Sequence, residues 1–329
     1  MDDKKISELN ELLRQLSNGT CLGNINTLKG VIKIYLPNAD IKTVNENVYF
    51  NIKGNGNKTL MLDAHLDQIG FVVTDVCGEF LKVSFMGGID DRTLATKRVT
   101  VFGKNKYEIS GVFCSTPPHL KEKESKTECF IDTGIKNAAE YISVGDFAAF
   151  KEPYINLKNN FVCGQSLDNR AGVAAVLFAV KHAKSFKDNI LVLLSNQEEL
   201  GLRGAKTFGF LNTPDEAITV DVSFGNQHGI SNHILAKLNS GALIGVSPIL
   251  NKNLTSSLLE TAKTNKIKYT FEVMNGKTGT NADVLSVTKN GIKTALISIP
   301  LRNMHTAAEV VCLNDILAVS DIIKNYIEY

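Results

Sequence analysis

The stretch from residue 189 to residue 222 reads NILVLLSNQEELGLRGAKTFGFLNTPDEAITVDV. It holds two apolar, partly β-branched runs, Asn189–Ser195 and Ala217–Val222. Short runs of that kind suit strands buried on both faces. Helical stretches are predicted before and between them, at 170–184 and 201–209. Downstream come the strand-like KYTFEVM (268–274), a helix around 282–289, the strand TALISIP (294–300) and a final helix at 313–327. A further strand is expected at 233–238. This alternation predicts an α/β fold, a sheet with helices on both faces.

Upstream, Ile6, Leu9, Leu12, Leu13 and Leu16 recur with helical spacing and predict a helix over 5–17. A second helix is expected at 24–36, then strands at 47–53 and 59–64 that belong with the same sheet. From about 69 to 160 the texture changes. Short alternating runs (GFVVTDV, FLKVSF, RVTVFG, YEISGVF, DFAAFK) are separated by turn signals. They predict a small β-barrel or sandwich. The expected organisation is one α/β domain, residues 1–68 and 161–329, interrupted by a β domain at 69–160.

The 329 residues carry 36 basic and 34 acidic side chains, a net charge of +2, with the signs interspersed. The longest charge-rich stretch, His119 to Glu128, mixes Lys and Glu. That argues against nucleic-acid or membrane partners. No apolar run approaches a membrane span, and the amino terminus lacks a signal peptide's apolar core. The six cysteines are scattered without a CxxC pair and read as cytosolic thiols, not as a disulfide frame or a sulfur-ligated zinc site. A cytoplasmic location is expected.

Several polar groups stand where strands end. Asp63, His65 and Asp67 follow Leu60–Leu62, and alternate residues of a strand share a face. A carboxylate beside a His can orient the ring of a metal ligand; the other reading is an exposed polar strand end. Asp168, in SLDNRAG, stands where a helix N-cap would stand. Glu198 and Glu199 follow NILVLLS, at the end of a strand where open α/β sheets bind ligands. One acid could hold metal and the other act as general base, or both could simply start a solvated helix. Asp221 lies inside an apolar strand and needs a partner, and His305 follows TALISIP. Two His with several carboxylates and no Cys suit two divalent ions such as Zn, Co or Mn. Asp168 could be the carboxylate shared between them.

These residues sit in DAHLDQIGF, FMGGIDDRTLATKRVTV, STPPHL, FIDTG, VGDFAAF, SLDNRAG, QEELGLRGA, AITVDV and NMHTAAEVV. In that order and spacing the chain resembles the cytosolic aminopeptidases that assemble as hollow tetrahedral dodecamers, some labelled glutamyl aminopeptidase and some endoglucanase. The resemblance covers nearly the whole chain. It implies a zinc-exopeptidase-like fold acting on the amino ends of peptides. It also implies His65 and Asp221 as ligands of one metal, Glu199 and His305 as ligands of the other, and Asp168 as the bridge. Glu198 then looks like the general base, Asp67 like the group behind His65, and the inserted domain like a dimerisation and assembly element. The expected partners are peptide substrates and further copies of the chain, at least a dimer.

Three positions depart from the pattern. Asn169 stands where a second acid is common, Asn281 where Asp is frequent, and Leu238-Asn239-Ser240-Gly241 replaces the usual Gly-Lys-Gly-Pro. The last two are expected to line or support the substrate pocket. A deacetylase or dipeptidase using the same metal chemistry, a glycoside hydrolase working through paired carboxylates, and an inactive assembly protein remain the rival readings.

Overall fold

The computed structural model of the chain describes residues 3–22, 25–117, 119, 128–230 and 236–328. Two amphipathic helices, α1 (Asp3–Asn18) and α2 (Asn26–Tyr35), precede β1 (Lys42–Val44), β2 (Asn47–Ile52) and β3 (Thr59–His65). A run of short strands follows: β4 (Gly70–Cys77), β5 (Phe80–Met86), β6 (Arg98–Phe102), β7 (Glu108–Phe113), β8 (Phe130–Asp132) and β9 (Phe147–Phe150). These six close into a barrel in the order β4-β5-β8-β7-β6-β9. Phe71, at its centre, meets Phe85, Phe113 and Phe150 edge-on. The chain then passes through β10 (Ile155–Asn156), β11 (Phe161–Gly164), α3 (Leu167–His182), β12 (Asn189–Ser195), α4 (Arg203–Leu211) and β13 (Glu216–Phe224). It ends with β14 (Ala242–Val246), α5 (Lys252–Thr264), β15 (Tyr269–Val273), α6 (Ala282–Leu285), β16 (Lys293–Arg302), β17 (Glu309–Cys312) and α7 (Leu313–Ile327).

The large sheet has eleven strands and is mixed. Its main path runs β1-β2-β12-β3-β13-β16-β17-β11-β10, with β14 beside β16 and β15 beside β14. The central four strands, β12, β3, β13 and β16, are mutually parallel, so their carboxyl ends lie along one edge. β10 falls within the 69–160 stretch but pairs with β11 in this sheet.

Strand alternation sends side chains to two different cores. Leu60, Leu62, Ile190, Val192, Leu194, Ile218 and Val220 pack toward α1, α3, α5 and α7. Met61, Leu191, Leu193 and Ala217 pack toward Phe208 of α4 and Leu285 of α6. That second face also carries Asp63, His65, Ser195 and Asp221, each in step with Met61, Leu193 or Ala217. The β12–β3 register places Ser195 opposite His65, and Thr219 of β13 lies opposite Asp63. His65 and Asp221 therefore emerge level with each other at the carboxyl edge.

The sequence expectations for α1, α2, β2, β3, β12, β13, β15, β16 and α7 correspond to observed elements, and the β stretch forms a barrel. The helix expected at 282–289 is a single turn, α6. The strand expected at 233–238 lies partly outside the described residues, and Ala236 makes only an isolated bridge with Gly225. The helices expected at 170–184 and 201–209 are α3 and α4, while β1, β8, β10, β11, β14, α5 and β17 were not anticipated. α5 packs Leu254, Leu258 and Ala262 inward, and the Asn251 side chain caps it by accepting from the Leu254 N–H.

Asp315 ties the 239–241 loop to α7. It is fully buried and accepts from the Asn239 N–H at 2.6 Å and the Gly241 N–H at 2.7 Å. Burial pushes its carboxyl up to about 6, against the pull of those two donors. Gly241 has φ +93, and a Cβ there would lie 2.1 Å from the Lys268 carbonyl, so no other residue fits without moving backbone. Replacing Asp315 with Ala should strand both N–H groups and cost about 2–4 kcal/mol of unfolding free energy. Urea denaturation measures this, and a loss well under about 1 kcal/mol would show that the loop does not depend on Asp315.

Candidate active site

At the carboxyl edge of the parallel strands lies a cleft of about 500 Å³. Its walls include His65, Asp168, Glu198, Glu199, Asp221 and His305. All six were singled out in the sequence. Asp67, the seventh, lies just behind them and is buried.

Asp168 is the centre of the arrangement. Its Oδ1 lies 3.1 Å from His65 Nε2, and its Oδ2 lies 3.4 Å from His305 Nε2. The two oxygens of one carboxylate thus face two different histidines. Asp221 Oδ1 is 3.7 Å from His65 Nε2, and Glu199 Oε2 is 3.4 Å from His305 Nε2. Two sets of convergent ligand atoms result, His65–Asp168–Asp221 and Asp168–Glu199–His305, each spanning no more than 4.8 Å. His65, Glu198 and Glu199 also converge within that distance, so Glu198 stands beside both sets.

An oxygen stands behind each histidine. Asp67 Oδ1 faces His65 Nδ1 at 3.3 Å, too far off line for a full hydrogen bond, while its Oδ2 accepts from the Glu199 N–H at 3.1 Å. The Gly88 carbonyl lies 2.9 Å from His305 Nδ1. A carbonyl only accepts, so it favours the proton on Nδ1 and leaves Nε2 to present a lone pair in the neutral ring. Gly88 follows β5 of the barrel. A Cβ on it would come 2.9 Å from His305 Nδ1, so this close approach requires glycine.

Glu309 was not anticipated as a site residue. Buried on β17, it accepts from the backbone N–H of Asp168 and from that of His305, both at 3.0 Å. One carboxylate thereby fixes both residues of the Asp168–His305 pair. The available signal was an acid at the head of the short apolar run EVVC.

The reading of Asp168 as a helix cap is corrected. The capping acceptor is Asn169, whose Oδ1 takes the Gly172 N–H at 3.0 Å. Asn169 also donates from Nδ2 to the Val220 carbonyl at 2.8 Å, which an ionised Asp could not do. The Asp168–Asn169 peptide is cis. Asn281, expected to line or support the substrate pocket, is not among the residues lining the cleft. It is buried and donates to Ser195 Oγ at 2.8 Å and Asp63 Oδ1 at 3.4 Å. Ser240 lines an adjoining cleft.

The electrostatics are lopsided: five buried or half-buried carboxylates besides Asp67 surround two histidines. Burial pushes Glu198 up to about 7, opposed by His65 and reinforced by Asp67 and Asp168. Burial and Asp168 push Glu199 up to about 8. Asp221 and Glu309 are raised well above the carboxylate range, again chiefly by burial. Asp168 goes the other way: burial would raise it, but hydrogen bonds from His305 and His65 hold it low. The hydrogen bond to Asp168 lifts His305 to about 9 against its burial. Positive charge entering such a cluster would favour loss of its protons. Convergent O and N donors without sulfur fit divalent cations of the Zn, Co or Mn kind.

Among the described residues no helix is long and apolar enough to cross a membrane. Residues 46–322 match the model of the M42 glutamyl aminopeptidase family. The lysyl aminopeptidase of Pyrococcus furiosus is 30% identical over 283 residues, which are 82% of this chain and 81% of that protein. An aminopeptidase from the archaeon Desulfurococcus kamchatkensis superposes with a TM-score of 0.91 at 29% identity, covering 98% of this chain and 95% of that one. The TET1 peptidase of Pyrococcus horikoshii, which can assemble into a tetrahedron or a large octahedral shell, superposes with a TM-score of 0.83 at 27% identity, covering 98% and 99%. The chain belongs to the M42 glutamyl aminopeptidase family and is an aminopeptidase, a peptidase of the hydrolase class.

Proposed function

We propose that the chain removes single residues from the amino ends of peptides at a site built for two divalent cations. The observation that carries this reading is the Asp168 carboxylate, with one oxygen toward His65 and the other toward His305. His65 and Asp221 would hold one cation, Glu199 and His305 the other, and Asp168 would serve both. When bound, such ions polarise a peptide carbonyl and make water nucleophilic near neutral pH. Zn is our first choice, with Co or Mn as alternatives.

Glu198 is our general base. Its carboxyl lines the same cleft and stands beside both ligand sets, within reach of a water held there. It takes a proton from the attacking water and returns it to the departing amine. Asp67 holds His65 in orientation, and Glu309 holds the backbones of Asp168 and His305. The similarity to shell-forming peptidases supports a homo-oligomer, at least a dimer and up to a tetrahedral dodecamer. We assign residues 69–160 as the inserted assembly domain, which exposes Phe85, Val112, Tyr141 and Val144.

Chelator-stripped protein should leave a panel of aminoacyl-p-nitroanilides intact and regain turnover on addition of Zn, Co or Mn, with N-acetylated substrates refused. Glu198→Gln should bind cation normally and lose about 10²–10⁴-fold in kcat. Equal cleavage of acetylated and free-amine substrates would point to another amide hydrolase. Near-normal kcat in the variant would remove Glu198 from the role of base.

The cation-free protein has a second signature. Glu199 at about 8 and His305 at about 9 both lie above their unfolded values. Between about pH 5 and about pH 9 the folded chain therefore holds more protons than the unfolded one, and stability falls as pH rises. Asp168, held low, acts in the opposite sense, but only in the acid range where unfolded Asp titrates. Stripped protein should melt at lower temperature at about pH 8.5 than at about pH 6, and added Zn should raise Tm more at the higher pH. A Tm that climbs with pH in stripped protein would contradict this charge assignment.

A further inference from the structure

Beside the proposed cation ligands and Glu198 the cleft contains one more acid, Glu272 of β15. It is half-buried, and both its oxygens are fixed. Ser298 Oγ donates to Oε2 at 2.6 Å, and Ser223 Oγ donates to Oε1. Ser298 lies opposite Asp221 in the β13–β16 ladder, and Ser223 is two residues beyond Asp221 on β13. Two strand residues span about 7 Å and share a face. The Glu272 carboxylate is therefore anchored about one side-chain length from the reacting centre.

Glu272 also belongs to the wall of an adjoining cleft of about 550 Å³, which shares Ser223, Phe224 and Thr278 with the first. Phe271, Val273 and Met274 give that second cleft apolar surface. Among the described residues no Lys or Arg lines the first cleft, and only Lys237, which is exposed, lines the second. None of them forms an ion pair with Glu272. A carboxylate has about four acceptor positions, and two hydroxyl donors leave the rest for a ligand. An apolar wall ending in a fixed carboxylate suits a long aliphatic stem tipped by a cation.

We infer that Glu272 is a specificity-determining residue that selects peptides with Lys or Arg at the amino terminus. Acidic first residues are the worst fit, because the lining offers them no positive charge and places Glu272 against them. This inference rests on the aminopeptidase reading for its substrate but on Glu272 alone for its selectivity.

The test uses Zn-reconstituted protein, wild type and Glu272→Gln; Gln keeps the shape and a side-chain carbonyl to accept from serine. Calorimetry with lysinamide, norleucinamide and glutamic acid α-amide reads binding, and kcat/KM on Lys, Arg, Leu and Glu p-nitroanilides reads turnover. Wild type should bind lysinamide about 10- to 100-fold more tightly than norleucinamide, and favour Lys and Arg over Leu by a similar factor. The Glu272→Gln variant should lose most of both preferences. Equal binding of lysinamide and norleucinamide, or a preference untouched by the substitution, overturns the inference. So does equal weakening of all three amides, which would place Glu272 on the α-amino group. A lysinamide preference that vanishes in Glu272→Gln, without cleavage of any anilide, upholds the selectivity and rejects only the hydrolytic reading.

Discussion

Asp168 cannot be satisfied by one partner, because its two carboxylate oxygens diverge toward His65 on β3 and His305 beyond β16. Everything around it holds that divergence in place. Asn169 takes over the capping of α3, freeing Asp168 from the helix. Glu309 grips the backbone N–H groups of Asp168 and His305 together. The parallel register of β12, β3 and β13 sets His65 level with Asp221. The constraint is therefore as much one of backbone as of side chains: four strand ends, one helix start and one barrel loop meet at one cleft.

This gathering works against stability. Several carboxylates with like charge are crowded where solvent is scarce, and burial raises most of them far above their ordinary range. An apolar replacement would ease folding, so the cluster makes physical sense as a site that awaits positive charge. The barrel contributes through Gly88, whose carbonyl orients His305 and whose lack of a side chain permits the approach. A β module inserted between β3 and β10 thus meets the candidate site at the Gly88 carbonyl.

Much of this was legible in the sequence, for identifiable reasons. The parallel strands are continuous apolar runs, and the barrel strands alternate, so periodicity reveals both. His65, Glu198, Glu199, Asp221 and His305 stand out because polar groups at the ends of apolar strands need a purpose. The rest depends on contacts that leave no local trace. Glu309 acts on residues 168 and 305 through backbone N–H groups, which no side-chain pattern announces. Asp168 and Asn169 are adjacent, and only the fold shows that the second is the cap. β14 and β17 are too short to display a period, and α5 reads as polar apart from Leu254, Leu258 and Ala262. Glu272 reads as an ordinary alternating position in KYTFEVM until β13 and β16 bring Ser223 and Ser298 beside it.

The most direct test of a shared Asp168 is a count of cations. Equilibrium dialysis against Zn, followed by elemental analysis, would be run on the wild type, His305→Ala and Asp168→Ala, with circular dichroism to establish that each is folded. The arrangement predicts two tightly held ions per chain in the wild type, one in His305→Ala, and loss of tight binding at both positions in Asp168→Ala. Two ions held at wild-type affinity by folded Asp168→Ala would contradict it, because no single carboxylate would then join the two sites.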